Sequence, residues 1–160
     1  MVPRMHEKWQ HLPAPARPIA AAATAAVGAA QARDPDGLDA AVGDLAALDP
    51  AQSGLILGTA VRLLLEDGHP DGLDGEAVRD VLEQSVRNAA QWQPEVDPHV
   101  VLQLLAGALG VLDEDETTPP KPDVLARHAA LLLADLLGER PVESWFVAAL
   151  TDIERTQLND

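Results

Sequence analysis

Five histidines and a series of closely spaced aspartates are the residues of this chain whose types could do chemistry. His6 and His11 flank Glu7 in His6-Glu7-Lys8-Trp9-Gln10-His11, which imitates a zinc-protease helix. That signature needs its histidines four apart, on one helix face. Here they are five apart, about 140° around a helix, and no third ligand stands near them. The segment reads as a solvated tail.

The acidic turns raise the question of calcium. Asp67-Gly68-His69-Pro70-Asp71-Gly72 matches a calcium loop at its first, fifth and sixth positions. The third position is His69, and Val78 stands at the twelfth, where the loop requires a bidentate glutamate. Asp34, Asp36 and Asp39 form a second carboxylate group with equally poor spacing. Helix capping accounts for all of these aspartates, so no metal site is expected.

His128, Asp135 and Glu139 fall within about 40° of one another on the helix expected over 124–137. A histidine and a carboxylate on one face can act as an acid and base pair. Seven residues separate His128 from Asp135, about 10.5 Å along the axis, too far for a direct hydrogen bond. The expectation is a narrow solvent-exposed strip. His99 is an isolated histidine that would matter for catalysis only if it lay beside His128.

Gly54 and Gly58, and Gly107 and Gly110, sit inside apolar helices rather than in a phosphate-binding loop. The spacing of Gly54 and Gly58 predicts close approach of a second helix backbone. Ser53, Ser85 and Ser144 have no base beside them in sequence, and the chain has no cysteine. No catalytic residue and no cofactor is therefore assigned. Arg62 and Gln103 lie in otherwise apolar helices and need partners if buried. With His99 and His128 they are the candidate lining of a ligand pocket between apolar helices.

The elements that must position these groups are helical. Aromatic residues are only Trp9, Trp92, Trp145 and Phe146, so the core must be built from leucine, valine and alanine, which favour helix. Residues 1–18 hold four prolines and no apolar period, and read as a flexible, basic arm. Residues 19–160 form a single acidic helical domain. Its first helix, from Ile19 to Ala32, is rich in alanine. This start also imitates a signal peptide, with Arg4, Lys8 and Arg17 before an apolar run and Ala30-Gln31-Ala32 as a cleavage-like site. Glu7 and the long leading segment argue against that. An alanine-rich helix packed closely on a neighbour is preferred, and a cytoplasmic protein over a secreted one with residues 1–32 removed.

Asp36, Asp49, Asp74, Asp97 and Asp123 each stand where they could cap a following helix, and Gly68 and Gly138 where one should stop. The helix after Asp49 carries Leu55, Ile56, Leu57, Val61, Leu63, Leu64 and Leu65 around most of its circumference, which marks it as the central helix. It is too short and too interrupted to span a bilayer, which needs about 20 apolar residues. DGLD occurs at Asp36 to Asp39 and again at Asp71 to Asp74, each before a helix. The spacing of the following Asp-Pro pairs differs, so the echo does not establish a repeat. The expected fold is all-α, a compact bundle of about seven helices built from helical hairpins, with a short α-solenoid as the alternative.

Charge bears most directly on function. Residues 1–33 carry a net charge of +3 and residues 34–160 of −18, together the −15 of the whole chain. Such a surface repels nucleic acid and anionic lipid and attracts basic proteins. The plain reading is solubility. The sharper one is a non-catalytic adaptor, inhibitor or regulator whose acidic face docks on a basic partner, through Asp113, Glu114, Asp115, Glu116 and Trp92. The alternative is a small-molecule binder or enzyme using the pocket named above. Trp145 and Phe146, or Trp92, could also anchor a homo-oligomer.

Overall fold

The computed structural model describes residues 16–112 and 118–159, and every regular element among them is an α-helix. In order these are α1 (Ala16–Gln31), α2 (Pro35–Ala46), α3 (Pro50–Gly68), α4 (Gly75–Ala90), α5 (Pro98–Ala108), α6 (Pro122–Leu137) and α7 (Glu143–Asn159). None is long and apolar enough to cross a membrane. The stretch from His6 to His11 and the acidic run from Asp113 to Glu116 lie outside the described residues.

Local chemistry sets most of the helix starts. Asp49 Oδ1 accepts from the amides of Ala51 and Gln52, Asp74 Oδ1 from Ala77 and Asp97 Oδ1 from His99. Each satisfies donors that the first turn leaves unpaired. Two expected caps are displaced. Asp34, not Asp36, caps α2, accepting from the Gly37 amide at 3.1 Å. Lys121, not Asp123, is the cap residue of α6 and makes no side-chain capping bond. In both helices a proline follows the cap, and its fixed φ begins the helix before the expected aspartate is reached. Helix α1 begins at Ala16, three residues ahead of Ile19, and tolerates Pro18 because first-turn amides have no helical acceptor.

The two DGLD copies do different work. In the first, Gly37 lies in the first turn of α2, where a Cβ would come within 2.5 Å of the capping Asp34 carboxylate. In the second, Gly72 turns the chain at φ +100° and Asp74 is the cap. The same letters thus arise from capping and turning, not from a repeated unit.

The core is leucine, valine and alanine, with Phe146 as its one fully buried aromatic ring among the described residues. Helix α1 contributes Ile19, Ala20, Ala23 and Val27, all essentially without solvent exposure. Its small side chains let it pack closely against both α2 and α6. Packing between α1 and α6, and between α3 and α7, joins elements far apart in the chain. A solenoid confines contacts to adjacent repeats, so the fold is the compact bundle.

The central helix is α6 and not α3. It packs against α1, α2, α3, α4 and α5, and six consecutive residues, His128 to Leu133, are buried. Helix α3 leaves Leu55 half exposed, at 50%, and Leu63 only partly covered. Alanine at 126, 129 and 130 makes α6 thin enough for neighbours on every side. No close backbone approach occurs at Gly54 or Gly58, whose missing Cβ atoms would meet open space.

Three arginines tie helices together. Arg62 on α3 pairs with Glu66 at 2.7 Å and with Asp152 of α7 at 2.6 Å. Arg127 on α6 pairs with Asp39 of α2 at 2.7 Å and donates to the Gln93 side chain. Arg140 reaches back from the α6–α7 turn to the carbonyls of Leu136 and Leu137 and to Asp67 of α3. Its guanidinium also stands 5.7 Å from the Trp145 ring, within the range of a cation–π contact.

Candidate functional site

The sequence-derived pocket residues are not brought together. Arg62 is held by Glu66 on its own helix and by Asp152 across the α3–α7 contact, and its charge is already answered there. His99 and Gln103 are one turn apart on α5, their side-chain nitrogens 3.5 Å from each other, and both face an open groove beside residues 118–124. His128 is 3% exposed and belongs to the core. Its Nε2 accepts from the Asp97 backbone amide at 2.9 Å, and its Nδ1 lies 2.7 Å from the Val124 carbonyl. Since an amide can only donate, Nε2 carries the lone pair and Nδ1 the hydrogen. The ring is a neutral clamp between α6 and the start of α5, with no nitrogen left for a proton transfer. The expected solvent-exposed strip therefore does not exist at His128, because α6 is covered by five neighbours.

Of the carboxylates considered for calcium, Asp67 faces Arg140, Asp34 caps α2 and Asp39 pairs with Arg127, whereas Asp36 and Asp71 are exposed. Among the described residues no group of three or more histidines and carboxylates is placed to share a metal ion. Phe146 is wholly buried and serves the core, and Trp145 is half-buried next to Arg140.

A different cleft is present. Helices α1 and α4 both pack on α6, and between them lies a polar cavity of about 330 Å³, open to solvent. Trp92, expected at an interaction surface, lines it together with Ser85, Asn88 and Asp135. Asp135 is half-buried on α6, and α4 presents two neutral donors to it. Ser85 Oγ donates to one carboxylate oxygen at 2.9 Å and Asn88 Nδ2 to the other at 2.6 Å. Their spacing of three residues puts both on the face that meets α6. No lysine, arginine or histidine among the described residues pairs with this carboxylate.

Arg33 lines the same cleft from the turn after α1. Its amide bonds the Ala30 carbonyl and the next amide, of Asp34, reaches back to Ala29. This is the Schellman ending, in which the penultimate residue adopts the left-handed conformation and is usually glycine. Arg33 holds it at φ +52°, the one non-glycine residue with positive φ among those described. The Gln31 amide closes the end of the cleft by donating to the carbonyls of Gly138 and Arg140 at 3.1 and 2.7 Å.

Asp135 was visible in the sequence as one member of the α6 strip, whereas Ser85, Asn88 and Arg33 carried no motif. Arg33 did have a signal: Pro35 forces α1 to stop, and no glycine is available there to turn the chain. Comparison with protein-family models, with curated proteins and with solved structures finds no match for this chain.

Proposed function

We propose that this chain is a non-catalytic helical interaction module, an adaptor, inhibitor or regulator, whose acidic surface docks on a basic protein partner. What carries this reading is how the positive charge is distributed. Arg62, Arg127 and Arg140 each pair with the protein's own acids in bridges between helices. Meanwhile Asp36, Asp44, Asp71, Glu76, Asp80, Glu83 and Glu154 are exposed. These acids face outward while part of the compensating positive charge holds the bundle together, within a segment, residues 34–160, whose net charge is −18. A field of that sign accelerates encounter with a basic surface and weakens as salt screens it.

The module is assigned to the cytoplasm, with residues 16–32 retained. Support for retention comes from α1, whose Ile19, Ala20, Ala23 and Val27 are core residues; cleavage after Ala32 would strip them out.

The test is capture of the tagged full-length protein's partner from its own cells at low salt, followed by titration of the two purified proteins. A one-to-one complex with a basic protein, losing affinity steeply as salt is raised, is the expected outcome. A complex insensitive to salt, or one with an acidic partner, overturns the reading.

A further inference from the structure

Two opposite charges face the cleft over α6, and neither is answered. Asp135 receives only the neutral donors Ser85 and Asn88, each on a different oxygen, and a carboxylate has room for further donors on both. Arg33 lines the same space and makes no ion pair among the described residues, with Asp135 or any other acid. A ligand with only a positive charge would confront Arg33, and one with only a negative charge would confront Asp135. A small molecule carrying both satisfies the pair. Gln31 and Gln84 also line the cleft, and Trp92, Leu131 and Ala89 supply an apolar patch beside these polar groups. The volume, about 330 Å³, is at the small end of ligand sites, which run from about 300 to 1,000 Å³. A nucleotide or large cofactor is too big for it.

We infer that this cleft binds a free α-amino acid with an apolar side chain, its ammonium on Asp135, its carboxylate on Arg33 and its side chain against Trp92. Asp135 is presented by a helix packed on five others and is held in place by two hydrogen bonds, the preorganisation that a recognition site needs. Arg33 adds an independent argument. It occupies a backbone position that favours glycine, and such strain at a non-glycine residue clusters at ligand sites. The cleft and the acidic surface are separate features, so failure of either reading leaves the other standing.

The test is titration of the isotope-labelled full-length protein with L-leucine, L-phenylalanine and L-methionine in turn, following amide and indole resonances by NMR. Saturable shifts at Arg33, Ser85, Asn88, Asp135 and the Trp92 indole are expected. On the unaltered protein, the N-acetyl and the methyl ester derivatives should each bind roughly tenfold more weakly or worse, since each removes one charge-assisted contact. Asp135→Asn and Arg33→Gly should weaken the free amino acid to a similar degree. Arg33→Gly relieves backbone strain, so its loss of binding is not explained by misfolding. No saturable shift with any of the three, equal binding of the derivatives, or unchanged affinity in both variants overturns the assignment.

Discussion

The side chain of His128 and the backbone amide of Asp97, thirty-one residues apart, are joined by a 2.9 Å hydrogen bond that fixes the start of α5 onto the central helix. Asp97 is engaged twice, since its carboxylate also caps α5 through the His99 amide. A neutral imidazole thus adds a polar tie to the packing of Val100, Val101 and Leu105 that seats this short helix. Replacing His128 by leucine keeps the volume and removes the acceptor. The expected loss is about 1–3 kcal/mol, the cost of leaving a part-buried amide without its partner. Urea unfolding with a stability equal to that of the unaltered protein would show that the clamp contributes nothing.

Gly58 lies in the middle of α3, where glycine is unfavourable and where no neighbouring atom comes within 4 Å of an added Cβ. Gly58→Ala should stabilise the fold by about 1 kcal/mol. Thermal unfolding is the check, and a lowered midpoint would mean that α3 needs the glycine for a reason other than space.

Thr24 on α1 and Ser53 on α3 are 7% and 6% exposed, and their hydroxyls have no hydrogen-bond partner among the described residues. Removing a buried, unsatisfied hydroxyl while keeping shape is neutral or favourable. Thr24→Val is expected to raise stability by about 1 kcal/mol. Denaturant midpoints compared at equal slope decide it, and destabilisation of similar size would reveal a partner for Oγ1.

Arg33 makes a further prediction that concerns stability alone. Glycine at this left-handed position should gain about 1 kcal/mol over arginine. If calorimetry shows Arg33→Gly to be less stable than the unaltered chain, the side chain contributes to the fold, and its conformation needs no functional explanation.

The parts of this fold that were legible in the sequence are those decided within a few residues. Asp49, Asp74 and Asp97 cap where their spacing to the next apolar run says they should, and Gly138 ends α6 at φ +65°. Composition alone fixed the helical class. What was not legible depends on thickness and crossing. Apolar letters around α3 suggested burial on all sides, yet Leu55 is half exposed, while it is α6, with its small alanines, that admits five neighbours. The same error placed His128 in solvent. Similarly, Ser85, Asn88 and Asp135 meet only because α4 lies across α6, and nothing within either helix signals that crossing. Neither Arg62 nor Gln103 is buried as their apolar surroundings in sequence suggested: Gln103 faces an open groove, and Arg62 finds its partners in Glu66 and in a helix ninety residues away.

The late position of α6 sets synthesis against assembly. A ribosome adding about 5–20 residues per second releases α1 through α5 well before the helix on which all five converge. During that interval Ile19, Val27, Leu38, Leu65 and Leu105 have no completed interior to enter. Helices α1 and α2 can meet each other in that time, but the faces that α6 covers on α1 to α5 stay open until Leu137 emerges. A chain that terminates before Pro122 lacks the shared axis of its own bundle, and the apolar faces left uncovered favour aggregation.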